Sequence, residues 1–164
     1  MKILKCNNRG ISLIELIVTM IILSLLALLI LPSAQMTAKR NRELELRRDL
    51  RTIRTAIDDY KKNYDQAVTE KKITSTLDNS GYPETLQVLV DGYDFGGLVK
   101  YKKKFLRRIP VDPFNPPEPG AEPKWGLRSY EDEPDSSNWG GEDVYDVYSL
   151  SGETAIDGTK YKDW

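Results

Sequence analysis

Residues 9–34 read RGISLIELIVTMIILSLLALLILPSA, and this stretch decides the fold of the N-terminal part of the chain. From residue 11 to residue 34 it is apolar except for a few hydroxyl residues, one proline and one carboxylate, Glu15. As a helix, these 24 residues would reach about 36 Å, more than the roughly 30 Å hydrocarbon core of a bilayer. Lys2, Lys5 and Arg9 precede it. The pattern predicts a helix of membrane length whose N-terminus stays in the cytoplasm.

Glu15 separates three interpretations of this segment. A cleaved secretory signal needs small residues before its cleavage site, but the candidate site LPSA, residues 31–34, places Pro32 at the −3 position. A plain uncleaved anchor fits the hydropathy but does not explain a carboxylate, which is costly in hydrocarbon unless it is paired. Cleavage after Gly10 would instead create an α-amino group on Ile11. That amine would neutralise the Glu15 carboxylate of a neighbouring copy, which would make Glu15 an assembly residue.

The segment resembles the class III signal of type IV pilins and of the pseudopilins of type II secretion. The shared features are a short basic leader ending in glycine, a glutamate at the fifth position after it, and a proline at the twenty-second, here Pro32. The resemblance implies that a prepilin peptidase cuts between Gly10 and Ile11 and that Ile11 is N-methylated. Ile11 stands where the family usually has phenylalanine, and Ser12 stands where threonine is commoner.

An amphipathic stripe continues the helix beyond the apolar segment. No glycine or proline occurs between Ser33 and Gln66. We therefore expect one helix from about residue 11 to about residue 64, bent near Pro32, and then a polar loop over residues 65–81. The stripe has the spacing of one helix face. Its members are Leu46, Leu50, Ile53, Ile57, Tyr60 and Tyr64.

The remaining residues predict a small α+β head. YPETLQVLVDG, residues 82–92, predicts a short helix with an apolar face of Leu86, Leu89 and Val90. Prolines crowd residues 110–119 and exclude regular structure there. KWGLRSY, residues 124–130, and DVYDVYSLS, residues 143–151, predict two or three short antiparallel strands packed against the long helix. The core candidates on these strands are Trp125, Leu127, Tyr145, Val147 and Leu150.

Two stretches of the head are similar to the major pseudopilins of type II secretion: IPVDPF, residues 109–114, and the closing SLSGETAIDGTKYKDW, residues 149–164. In that family the final loop commonly holds calcium. The resemblance implies that the Leu150 carbonyl, Glu153 and Asp157 would be its ligands here, although the acidic positions are shifted and two lysines make the loop less anionic. The alternative is a loop held by hydrogen bonds and by Trp164.

Charge is strongly segregated along the head. Six basic residues lie within residues 100–108, and the segment from residue 131 to residue 146 holds seven acids and no base. Most of these acids form a cluster that could bind calcium independently, face the basic run of the same or a neighbouring subunit, or remain a solvated loop. The members of this cluster are Glu131, Asp132, Glu133, Asp135, Glu142 and Asp143.

Composition argues against several classes of function. The only cysteine is Cys6, in the predicted leader, and the chain has no histidine. The mature part would therefore lack disulfides, thiolate nucleophiles, imidazole bases and the usual zinc ligands. It also has no phosphate-binding glycine loop, and no nucleic-acid motif accompanies the basic run at residues 100–108. We expect neither an enzyme nor a nucleic-acid partner.

Together these patterns predict an α+β, pilin-like fold in which a long N-terminal helix packs on a small antiparallel sheet. Four segments are expected: a leader (1–10), a transmembrane and filament-core helix (11–34), its amphipathic continuation (35–65) and a periplasmic head (66–164). The expected function is that of a pseudopilin, anchored in the inner membrane and polymerised with other pseudopilins by the inner-membrane assembly platform of type II secretion. The alternatives are a type IV pilus subunit and a membrane-anchored binding domain that never polymerises.

Overall fold

The computed structural model describes residues 10–74 and 80–164, and for residues 28–33 it describes the backbone alone. The long helix α1 spans Leu13–Thr69, and the short helix α2 spans Leu86–Asp91. Strands β1 (Gly126–Arg128) and β2 (Asp146–Tyr148) form an antiparallel pair, and a 3₁₀ helix covers Tyr161–Asp163. This arrangement confirms the predicted α+β fold class, a long N-terminal helix with a small antiparallel sheet.

The chain divides into two compact units, residues 1–40 and residues 41–164. The described part of the first unit is mainly the N-terminal portion of α1, whose large apolar side chains are exposed. The second unit contains the rest of α1, both strands, α2 and the hydrophobic core. The bend predicted at Pro32 lies outside the residues whose side chains are described.

The stripe on α1 forms one side of this core, as its spacing predicts. All six of its members are buried, with exposed fractions of 0–5 %. The prediction that the helix ends near residue 64 was wrong, because α1 continues to Thr69. Ala67, three residues after Tyr64, lies on the same face and is fully buried, so the core extends for another turn. The side-chain pairs Lys61–Asp65 and Gln66–Glu70 span this turn at a spacing of four.

The sheet pairs Gly126 with Tyr148, Leu127 with Val147, and Arg128 with Asp146. Trp125 and Val147 are buried as predicted, and Leu127 is partly buried. The prediction that Tyr145 and Leu150 belong to the core was wrong, since their exposed fractions are 45 % and 48 %. Both residues lie outside the three-residue strand β2, and burial does not alternate within β2 either, since Val147 and Tyr148 are both buried.

Helix α2 forms where the sequence predicts it, with Leu86 and Leu89 buried in the core. Gly92 ends it with a φ of +86° and donates its N–H to the Val88 carbonyl.

The proline-rich segment, residues 110–119, is anchored without regular structure. Trp125 Nε1 donates to the Pro110 carbonyl at 2.9 Å, and the fully buried Asp112 accepts from Ser149 Oγ at 2.6 Å.

Candidate functional site

The predicted cleavage site lies at the start of the described chain, before α1 begins. Gly10 is exposed and non-helical, and among the described residues, its chain neighbours aside, none lies within 4 Å of where its side chain would be. Ile11 is also exposed, with 75 % of its surface accessible. The two described residues of the predicted cleavage site are therefore accessible to solvent. The rest of the predicted leader, residues 1–9, lies outside the described residues.

Glu15 lies in the first turn of α1, where its backbone N–H donates to Ser12 Oγ at 3.2 Å. Ser12 therefore caps the helix, and the S-x-x-E spacing of Ser12 and Glu15 matches the sequence of a capping box. A carboxylate in the first turn is also favoured by the helix dipole. The capping signal is readable in the sequence but was not used in the prediction. It gives Glu15 a local role that is compatible with a role in assembly.

Around Glu15 the helix presents an almost continuous apolar surface. Leu13 and Ile14 are 78 % and 71 % exposed, and about half of the surface of Leu16 and Ile17 is accessible. The hydroxyl residues in this segment are satisfied locally: Thr19 donates to the Leu16 carbonyl and Ser24 donates to the Met20 carbonyl, each at 2.8 Å. Such a surface needs lipid or protein to cover it.

No helix that is both long and apolar enough to cross a membrane was found among the described residues. The predicted span, residues 11–34, includes residues 28–33, whose side chains the structure does not describe. Pro32 is one of these residues.

The three predicted calcium ligands lie in the loops that precede the 3₁₀ helix. Leu150 is exposed, and Asp157 Oδ1 already accepts two hydrogen bonds from Thr159, at 3.0 Å from its N–H and 2.6 Å from its hydroxyl. These hydrogen bonds lower the pKa of Asp157. Asp157 Oδ2 pairs with Arg47 at 3.4 Å. The Asp157 carboxylate is thus engaged by protein donors, and the loop geometry does not favour calcium over a hydrogen-bonded loop.

The described residues contain no group of three acids that could hold a metal ion. Calcium binding by Leu150, Glu153 and Asp157 stays a prediction. Trp164 reinforces the loop, since its Nε1 donates to Thr159 Oγ1 at 2.7 Å and the Arg47 guanidinium lies 4.0 Å from the centre of one of its rings.

Within the acidic cluster, two carboxylates have structural partners. Asp143 is buried, and it accepts from Ser80 Oγ and, at 2.9 Å, from the Tyr130 N–H. Asp132 accepts from the N–H groups of Ser129 and Gly140, at 2.7 and 3.1 Å, and these bonds lower its pKa. These two acids organise the loop between the strands, while Glu131 and Glu142 are exposed.

Arg54 is an important residue that the sequence analysis did not single out. From α1 it donates to Asp146 at 2.6 and 3.3 Å, to the Val147 carbonyl at 3.0 Å, and to the Trp164 backbone oxygen at 2.7 Å. No local pattern indicates this network, because Arg54 is 92 to 110 residues away from its partners. It fixes the helix, the strand β2 and the final residues of the chain to one another.

Comparison with known families gives one match. Residues 5–31 match the family described as the prokaryotic N-terminal methylation motif, and no curated protein and no solved structure matches the chain. The matched residues include the predicted cleavage site, Glu15 and most of the exposed apolar surface of α1. The chain therefore carries a type IV pilin-like leader with its methylation motif. This finding supports the interpretation of the chain as a type IV pilin-like protein.

Proposed function

We propose that this chain is a structural subunit that polymerises into a filament after a prepilin peptidase removes its leader. The observation that carries the proposal is the methylation motif at residues 5–31. An exposed Gly10–Ile11 bond and an uncovered apolar helix surface support it. In the proposed mechanism, the new amine of Ile11 neutralises the Glu15 carboxylate of a neighbouring copy, and the apolar surfaces of adjacent helices cover one another.

Within this class we propose a pseudopilin of a type II secretion system, held in the inner membrane with its head in the periplasm until the assembly platform adds it to the filament. The IPVDPF segment and the absence of cysteine after residue 6 favour this role over a type IV pilus subunit, since pilus pilins often close a C-terminal loop with a disulfide. The filament would act mechanically, by pushing cargo or contacting the outer-membrane channel. ATP hydrolysis would belong to partner proteins.

The first test is the intact mass of the chain produced together with a prepilin peptidase. We expect a chain that begins at N-methylated Ile11. A chain that still begins at Met1 would contradict the proposal and favour an anchored domain that does not polymerise.

The second test concerns Glu15. In Glu15→Ala, we expect normal processing but loss of filaments, because the amine of Ile11 would have no counter-charge in an apolar contact. Ser24→Ala is the matched control, since it removes another exposed polar side chain of the same helix segment. Filaments of Glu15→Ala as abundant as those of the wild type would contradict the proposed role of Glu15. Secretion and pilus assays on a strain lacking the chain then distinguish the pseudopilus from the pilus.

A further inference from the structure

Three tyrosines form an aromatic face on the second unit, which we call the tyrosine face: Tyr82, Tyr130 and Tyr145. The rings of Tyr82 and Tyr130 are stacked, with their centres 5.7 Å apart. The ring of Tyr145 lies edge-on to both, with its centre 5.1 Å from that of Tyr82 and 5.4 Å from that of Tyr130. Tyr130 is 61 % exposed and Tyr145 is 45 % exposed. Rings that are held in mutual contact but left open to solvent are typical of a surface that binds a partner.

The surroundings of the tyrosine face favour a cationic partner. Glu131 follows Tyr130 and Glu142 lies three residues before Tyr145, and both are exposed and take part in no ion pair among the described residues. The pKa of Tyr82 is raised, first by burial and then by neighbours that include Tyr145, Asp58, Tyr130 and Asp65. Lys61 Nζ, which pairs with the Asp65 carboxylate, lies 5.7 Å from the centre of the Tyr82 ring, so one ammonium group of the same chain already lies near this face.

A cationic surface of matching chemistry lies elsewhere on the same unit. Lys100, Lys102 and Lys104, within a segment that we call the lysine loop (residues 100–104), are exposed. None of these three lysines forms an ion pair within the part of the chain that the structure describes. Tyr101 lies among them with 71 % of its surface accessible, which adds an aromatic side chain to the cations.

The two surfaces lie on opposite flanks of α1. Asn63 accepts a hydrogen bond from Lys103 Nζ at 2.8 Å, which places the lysine loop on the Asn63 side of the helix. Lys61 lies over Tyr82 and marks the other side. Residues 61 and 63 are two positions apart, which is about 200° around a helix. One copy therefore cannot bring its own lysine loop onto its own tyrosine face.

We propose that the tyrosine face of one copy binds the lysine loop of the next copy. The contact joins two different patches, so a growing assembly always has one free patch of each kind at its two ends. Such a head-to-tail contact builds an open filament unless the rotation between copies closes a ring. This proposal rests on the polymerisation proposed above and names a contact between heads within it. Exposed charge pairs are individually weak, so the contact acts in the assembled filament, where many copies repeat it.

Charge reversal on the full chain tests this contact. Glu131→Lys with Glu142→Lys reverses the two charges next to the tyrosine face in sequence. Lys100→Glu with Lys102→Glu reverses two charges of the lysine loop. We expect each pair to lower filament yield about tenfold, because attraction becomes repulsion at two positions. All four substitutions in one chain recreate opposite charges across every contact, and we expect the yield to return to near that of the wild type. Wild-type yield in both pairs, or no recovery in the fourfold variant, would overturn the proposal.

Cross-linking tests the same contact without reversing the charge of either surface. With Cys6→Ser as background, Glu131→Cys together with Lys102→Cys should give a ladder of linked copies after mild oxidation, whereas each single cysteine should give almost none. Links between identical single cysteines, or no ladder in assembled filaments of the double variant, would overturn the inferred pairing. A wild-type chain that forms no filaments at all would instead refute the proposed function, so the two failures are distinguishable.

Discussion

Gly126 lies opposite Tyr148 in the antiparallel pair, and a side chain at this position would overlap the tyrosine ring. The ring is held on other sides, since the Arg128 guanidinium lies 4.3 Å from its centre and its hydroxyl donates to the Ser137 carbonyl. We therefore expect Gly126→Ala to lower the free energy of unfolding by about 1–3 kcal/mol through overpacking. Urea unfolding of the full chain in a mild detergent, followed by tryptophan fluorescence, measures this change.

Gly152→Ala is the control for that substitution. Gly152 is exposed and has open space around the position of the added methyl group. Its replacement should leave stability unchanged or raise it by less than about 1 kcal/mol, because alanine restricts the unfolded chain. Equal effects at the two glycines would show that the Tyr148 ring yields to the new methyl group.

At the scale of elements, Arg54 joins α1 to β2. Its guanidinium makes hydrogen bonds to Asp146, the Val147 carbonyl and the Trp164 backbone oxygen. Arg54→Met keeps much of the volume but removes every donor, so the two backbone oxygens lose this partner. Asp146 loses one of its two cations, since its carboxylate keeps the pairing with Arg128 at 3.2 Å. We expect a loss of about 1–3 kcal/mol in the free energy of unfolding, measured by urea unfolding.

Arg51→Met is a matched control, because Arg51 lies one turn earlier on the same helix and is exposed. It should change stability by less than about 0.5 kcal/mol. A cost for Arg54→Met no larger than that of the control would mean that the network contributes nothing net to folding.

The sequence predicted the elements whose signals are local. The stripe from Leu46 to Tyr64 predicted the buried face of α1, and alternation near residues 126 and 147 predicted the strand pair. Local periodicity failed at Tyr145 and Leu150, which lie outside the three-residue strand β2, and burial does not alternate within that strand. It also did not reveal that Phe95 and Tyr161 are fully buried, because a loop brings Phe95 into the core and a 3₁₀ helix of three residues brings Tyr161 there. Their burial depends on long-range packing, which has no period in the sequence.

For the whole molecule, the N-terminal motif was the part of the candidate site that could be predicted, because its features lie within some thirty consecutive residues. The pairing of Arg54 with Asp146 joins residues 92 positions apart and needed the structure. The acidic cluster and the basic run were both visible as composition. The positions of the tyrosine face and the lysine loop on opposite flanks of α1 were not, since a run of charges in the sequence carries no information about the face that it occupies.

The second unit contains the described hydrophobic core in full, because every buried member lies between Leu46 and Tyr161. We therefore predict that a chain starting at Met36, five residues before this unit begins, folds without the N-terminal apolar segment and stays soluble without detergent. Thermal unfolding followed by far-UV and near-UV circular dichroism should give coincident transitions, as expected for one cooperative domain.

Two substitutions in this shortened chain decide whether its core is packed. Ile57 is fully buried, so Ile57→Ala should cost about 2–5 kcal/mol, whereas Leu44→Ala, at a residue of the same helix that is 59 % exposed, should cost far less. A weak near-UV signal with native helix content, or equal small effects of both substitutions, would contradict the prediction, since fluctuating packing gives that result. Such an outcome would mean that residues 36–164 alone do not form a fixed core. Cooperative unfolding with the expected difference would instead show that the second unit is stable without the residues before Met36.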